Sequence, residues 1–234
     1  MQTSSSIETG INSNLIELSS FSTLLSKVYA WLGVGIFITM ITALTLYYTG
    51  IAQLLYQTPL AMPVLLILQI GLVIILSIFS TRLNSVFSIF LFLFYSFSMG
   101  ITMTAIFYAF SITSVLITFF VASTMFGVMA AYGFFTKNDL THIGNIALMG
   151  LLGLIMASVL NIFFANHTID WLLTYVGIAI FLILIASDTQ KIKKMSMLSE
   201  TIKGNLAIVG ALTLYLDFVN IFLRLLKLLG NRRR

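Results

Sequence analysis

Long apolar runs separated by short polar stretches dominate this chain. Seven of the runs are about as long as the roughly 20 residues that an α-helix needs to cross a hydrocarbon layer about 30 Å thick. They cover residues 28–48, 60–79, 86–108, 115–135, 146–164, 171–186 and 206–229. The pattern therefore predicts an all-α polytopic membrane protein that folds as a bundle of seven transmembrane helices.

The composition divides the chain into three parts. Residues 1–27 are rich in Ser, Thr and Asn and contain Glu8 and Glu17. They lack the basic start, short apolar run and cleavage site of a signal peptide, so a flexible cytoplasmic tail is expected there. Residues 28–230 are expected to form the transmembrane domain, and residues 231–234 a basic carboxyl-terminal tail.

Composition supports the membrane assignment and excludes several other classes. Hydrophobic residues make up 59% of the chain and charged residues only 8%, and the mean hydropathy is +1.08. So little polar surface cannot cover a soluble globule, and the lipid bilayer is the first expected partner. The absence of cysteine excludes disulfides and thiolate chemistry. The net charge of +5 comes mostly from residues that flank apolar runs, so no nucleic-acid partner is expected.

The distribution of basic residues predicts the orientation of the chain, because cytoplasmic loops are enriched in Lys and Arg. The basic residues that precede or separate the apolar runs all fall on one side of the membrane. They are Lys27, Arg82, Lys137, Lys191, Lys193, Lys194 and Lys203. The amino terminus is therefore expected in the cytoplasm. Seven full crossings would export three arginines at the carboxyl end. The sequence leaves open whether the last segment crosses fully or is re-entrant.

Small residues recur at helical spacing in two of the segments, where they would let a neighbouring helix approach closely. They predict packing faces formed by Ser123, Gly127, Ala130 and Ala131 in the fourth segment and by Gly150, Gly153, Ala157 and Asn161 in the fifth.

Two aspartates stand out as candidate functional residues. Asp217 lies in the middle of the last apolar segment, and Asp188 follows the sixth. An acidic side chain at the centre of a membrane helix costs about 2.5–3.5 kcal/mol on insertion scales, so such residues usually serve a function. Asp188 is the natural partner of Asp217, since both are carboxylates associated with the membrane segments.

A polar stripe surrounds Asp217 in the last segment. Thr213, Asp217, Asn220 and Arg224 are spaced by four, three and four residues, which places them on one helical face. The structural alternative is that Asp217 hydrogen-bonds Asn220 and nearby backbone groups and only locks the bundle together.

A close pair of aspartates would have a definite chemistry. Two carboxylates in a poorly solvated site cannot both ionise cheaply, so Asp188 and Asp217 would share one proton and act as a pH sensor or gate. Arg82, at the end of the second segment, is the expected cation that interacts with this gate. Calcium prefers oxygen ligands, and two carboxylates make an incomplete site, so a transient contact with a transported calcium ion is expected. No cofactor is expected.

Several runs of sequence resemble one membrane-protein family. The run ALTLYLDFVNIFLRLLKLLGNRR, from Ala211, is similar to the closing signature of the Bax inhibitor family, and SDTQKIKK resembles its sixth-segment motif. The run HIGNIALMGLLGLIMASVLNIFF resembles the family's fifth segment. The resemblance implies a seven-helix fold and a pH-sensitive calcium leak controlled by Asp188 and Asp217, with Arg82 interacting with them. Ser187 stands where the family often has Tyr. Bacterial members are most similar, which implies an inner, or plasma, membrane.

Other functional classes fit less well or remain open. The Gly-x-Gly-Asp motif of intramembrane aspartyl proteases is absent, and His142 and His167 lie in loops on opposite sides, so neither an enzyme nor a histidine metal site is expected. A non-conducting regulator that binds another membrane protein, such as a quality-control protease, remains the alternative. If the tail makes that contact, deleting residues 1–26 is expected to abolish binding and to spare an ion path.

Overall fold

The computed structural model describes residues 2–79, 83–195 and 200–232, with side chains described for 23–79, 83–195 and 205–232. Within these ranges the chain forms eight helices: α1 (Gln2–Thr49), α2 (Ile51–Gln57), α3 (Ala61–Phe79), α4 (Ser85–Ala109), α5 (Ile112–Phe135), α6 (Thr141–Phe164), α7 (His167–Met195) and α8 (Glu200–Leu229). All except the short connector α2 are long and apolar enough to cross a membrane. The predicted seven-helix membrane fold is confirmed.

Several helices extend beyond the apolar runs that predicted them. The backbone of α1 is helical from Gln2, across residues expected to form a flexible tail, although its membrane-spanning candidate begins only at Thr23. At the other end of the chain, α7 continues past Ala186 to Met195. Asp188 therefore lies inside a helix with buried neighbours on both sides. The division into a tail and a transmembrane domain stays a prediction.

Helix α8 forms the centre of the bundle. It is the most buried of the candidate spans, with α1, α4, α5 and α7 packed around it. Apolar residues occur around its whole circumference, as expected of a helix enclosed by others. Ala211, Leu214, Tyr215 and Ile221 are completely buried. By contrast, α6 is the least buried span and packs on α7.

The carboxyl end of α8 lies at the end of the bundle opposite Asp188. Ser111, in the loop between α4 and α5, donates its backbone N–H to the Asn231 carbonyl, and Phe110 pairs with Arg232 in an antiparallel bridge. Lys227 forms an ion pair with Asp170, at the start of α7. The last segment is thus one continuous helix through the bundle, and the re-entrant alternative is not adopted.

The closest helix contacts occur at glycines outside the predicted packing faces. A Cβ atom on Gly133 of α5 would overlap the Ala186 backbone, and one on Gly144 of α6 would overlap the Ser187 side chain. Gly127 and Gly153, which were predicted to make close contacts, face open space. Helix α7 therefore fits between α5 and α6 at residues 186 and 187, directly before Asp188.

The two types of glycine in α5 provide a matched stability test. Gly133→Ala should lower the melting temperature in detergent, because its methyl group meets backbone that cannot move aside, and overpacking costs about 1–3 kcal/mol. Gly127→Ala should leave the melting temperature unchanged or raise it, because alanine favours a helix by up to about 1 kcal/mol over glycine. Equal melting temperatures for the two variants would contradict the close approach of α7.

Candidate functional site

The antiparallel packing of α7 and α8 brings the two aspartates together. A Cβ on Gly210 would lie 3.2 Å from Ile192 Cδ1, which fixes how the two helices are aligned. In this alignment residue 214 lies beside Asp188, and Asp217 lies about 4.5 Å further along the axis at 1.5 Å per residue. Asp188 is 9% exposed and Asp217 5%, and their charges interact.

Asp188 has a cationic partner on its own helix. Lys191 Nζ donates a hydrogen bond of 2.8 Å to Asp188 Oδ1, one turn further along α7, and its side chain remains 36% exposed. Arg82, the predicted cation, lies outside the described residues. The sixth apolar run ends at Ala186, so hydropathy alone places Lys191 in a loop. The continuation of α7 brings Lys191 to the carboxylate.

The side chain of Asp217 is buried. Its Oδ2 makes no hydrogen bond to any part of the chain that the structure describes. Asn220, the partner in the structural alternative, donates its Nδ2 to the Leu216 carbonyl at 2.8 Å instead. A direct hydrogen bond between Asp188 and Asp217 is likewise not among the described contacts. Such an unpaired buried polar atom is rare and costs about 1–3 kcal/mol.

The other residues of the polar stripe make two kinds of contact, within α8 and with α7. Thr213 Oγ1 donates to the Val209 carbonyl at 3.0 Å, so it bonds within α8, as Asn220 does. Arg224 Nη1 instead donates to the Leu173 carbonyl of α7 at 2.9 Å, and the guanidinium packs on Gly177. Its Nε is buried without a partner among the described residues. Asp217 and Arg224 thus place charged groups along the seam between α7 and α8.

The end of α7 is tied to the loop between α5 and α6. Gln190 donates its Nε2 to the Asn138 carbonyl at 2.8 Å and accepts the Leu140 N–H at 2.9 Å. One turn later, Lys194 Nζ donates to Asp139 Oδ1 at 2.7 Å. Hydropathy alone does not reveal these contacts. Their signal in the sequence is the polar run SDTQKIKK, whose first four residues are buried in the helix.

The exposed Asp139 carboxylate is held in its ionised form. Hydrogen bonds from Lys194, then from the Thr141 hydroxyl and backbone N–H, lower the pKa of Asp139 well below its ordinary value. The contact stabilises the fold above the pKa of an unfolded Asp, about 3.9. It is lost as the pH falls through the lower folded value.

The site can supply few ligands to a metal ion. No group of three His, Cys, Asp or Glu side chains converges anywhere in the described parts of the chain. A cation between α7 and α8 would meet the carboxylates of Asp188 and Asp217, and Lys191 already occupies one oxygen of Asp188. Calcium normally takes six to eight oxygen ligands, so the pair is suited to brief contact and not to storage.

Comparison with known proteins gives consistent matches over nearly the whole chain. Residues 21–234 match the family model described as "Inhibitor of apoptosis-promoting Bax1". The inner membrane protein YbhL of Escherichia coli K12 is 38% identical over 223 residues, which cover 92% of this chain and 94% of YbhL. An uncharacterized protein of Borreliella burgdorferi is 35% identical, with 89% and 92% covered. YrjE of Lactococcus lactis is 33% identical, with 88% and 89% covered.

The Asp139 contact gives a pH-dependent stability prediction. Asp139→Asn should lower the melting temperature at neutral pH, because it removes the ionic partner of Lys194. The difference from the parent should persist from pH 8 down to about pH 4, where an unfolded Asp begins to protonate, and shrink below it. Thermal melting at several pH values would measure it. A difference that vanishes already at pH 6 would assign the effect to another group.

Proposed function

Since the chain belongs to the Bax inhibitor family, we propose that it is a calcium leak channel whose flux depends on the protonation of Asp188 and Asp217. The observation that carries the proposal is the buried Asp217 Oδ2, which has no hydrogen-bond partner in the described parts of the chain, beside the ion pair of Asp188 and Lys191. The chain is a multi-pass integral membrane protein, and its similarity to YbhL supports the inner membrane.

The proton on the aspartate pair controls the charge of the seam between α7 and α8. With one proton on the pair, the remaining negative charge is balanced by Lys191, and the two helices can pack closely. Loss of the proton leaves two carboxylates facing Lys191, the cation described beside them. The additional charge attracts a divalent cation and weakens the contact between α7 and α8. Helix packing and cation affinity therefore change together.

Calcium is cargo in this proposal, which assigns no catalytic residue and no cofactor. Conduction requires an ion to bind strongly enough to enter and weakly enough to leave. A site with two carboxylates and few further ligands meets this condition better than a complete cage. The calcium flux is expected to depend on pH because the charge of the aspartate pair does. Whether the flux rises or falls with pH depends on which step is slower, entry of the ion or its release.

Calcium flux into liposomes containing the purified protein tests the proposal. The parent should show a flux that changes several-fold between about pH 5 and pH 8, whereas Asp188→Asn and Asp217→Asn should each flatten the profile. Asp139→Asn is the matched control, because it removes a lysine-paired carboxylate at the same end of the bundle without touching the pair. It should retain the parent's profile.

The contradicting results are distinct. Flux that does not exceed that of empty liposomes, with protein shown to be folded, would exclude the channel and leave the membrane regulator. A normal profile in Asp217→Asn would keep the channel and remove the aspartate pair as its sensor.

A truncation separates the channel from a regulator that acts through its amino-terminal segment. Removing residues 2–22 leaves the first candidate span, Thr23–Thr49, intact. The truncated protein should keep the calcium flux and pH profile of the parent in liposomes, because the aspartate pair lies on α7 and α8. If the full-length protein conducts calcium and the truncated protein is folded but does not, the amino-terminal segment is essential for the flux.

A further inference from the structure

A groove with a volume of about 250 Å³ runs along the side of the bundle, in the half away from Asp188. Helix α8 forms its floor with Tyr215, Phe218 and Phe222, together with residues of α4. The walls come from α1 and α5, and Met40 and Leu116 are among the residues that line them. Both are partly exposed, at 38% and 57%. The groove is thus open sideways, towards the surroundings of the bundle.

The groove is lined almost wholly by apolar atoms. Its polar lining atoms include the hydroxyls of Thr39 and Tyr215, which lie 2.6 Å apart and hydrogen-bond each other. Thr39 Oγ1 also lies 2.9 Å from the carbonyls of Gly35 and Ser96, so both hydroxyls are satisfied. Apolar cavities of this kind stay dry. The groove therefore suits a hydrocarbon chain and not a hydrated calcium ion.

The helices that form the groove are all candidate membrane spans, so its opening faces acyl chains. An acyl chain gains no hydrophobic free energy by moving from bulk lipid into a protein groove, because lipid is as apolar as the lining. Retention of one particular lipid must come from close packing and from a contact with its headgroup. A cation at the end of the groove would provide that contact.

Arg232 provides a positive charge at this end of the molecule. Its backbone pairs with Phe110, and the neighbouring Asn231 donates its N–H to Ser114 Oγ at 3.0 Å. Ile112 lies between Phe110 and Ser114 in the sequence, and its side chain lines the groove. Arg232 is exposed and forms no ion pair with any residue that the structure describes. A guanidinium binds phosphate oxygens through two parallel hydrogen bonds, which a lone phosphate headgroup can accept.

We propose that this groove binds one acyl chain of a phospholipid whose phosphate is held by Arg232. The lining packs closely against the chain, and Arg232, which has no ion-pair partner in the described parts of the protein, binds the headgroup. The site is separate from the aspartate pair and does not depend on the calcium proposal. It would make one phospholipid a part of the folded protein.

Native mass spectrometry of delipidated protein, titrated with phosphatidylglycerol in mild detergent, tests this site. The parent should retain one phosphatidylglycerol molecule. Leu116→Trp, which fills the groove, should lower its occupancy about tenfold. Ile117→Trp is the matched control, because Ile117 is equally exposed, at 58%, follows directly on α5 and does not line the groove. It should bind like the parent, and Arg232→Gln should bind more weakly.

The outcomes are separable even if one variant fails to fold. Met40→Trp against Ile41→Trp repeats the comparison on α1, since Met40 lines the groove and Ile41 is an exposed neighbour outside it. Equal occupancy in a groove-filling variant and its control would place the lipid elsewhere and overturn the proposal. Unchanged binding by Arg232→Gln would overturn the arginine as the headgroup contact.

Discussion

A carboxylate enclosed by an apolar bundle is the constraint on which this structure depends. Asp217 lies on the most buried helix, and one of its oxygens has no hydrogen-bond partner in the described structure. Two charges that act on it, those of Asp188 and Lys191, both come from helix α7. The electrostatic free energy of Asp217 therefore depends on where α7 lies.

The glycines explain how α7 is held so close. Gly133 and Gly144 lie on the two helices that flank α7, and neither position has space for a Cβ atom. They meet α7 at Ala186 and Ser187, immediately before Asp188. The serine at position 187 fits directly against the backbone of Gly144, where a larger side chain would push α6 away. The close packing of α7 against α5 and α6 thus fixes the position of Asp188, which lies towards α8.

The hydrophobic pattern was sufficient to predict the seven spans and to single out Asp217, because both are signals within single segments. It did not predict Lys191 as the partner of Asp188. Hydropathy ends the sixth segment at Ala186, whereas the helix continues to Met195, and contacts with the α5–α6 loop satisfy Gln190 and Lys194 beyond that point. The close contacts at Gly133 and Gly144 were missed for a related reason. A glycine's spacing along one helix does not reveal what faces it.

Helix α8 connects the two candidate sites. Asp217 faces the polar seam with α7, whereas Tyr215 and Phe218, beside it in sequence, form the floor of the apolar groove between α1 and α5. Neighbouring residues on a helix point in different directions, so one short stretch serves both sites. Because a helix moves as a stiff unit, a displacement of α8 away from α7 would also press its opposite face towards the groove. A chain held in that groove would resist such a displacement.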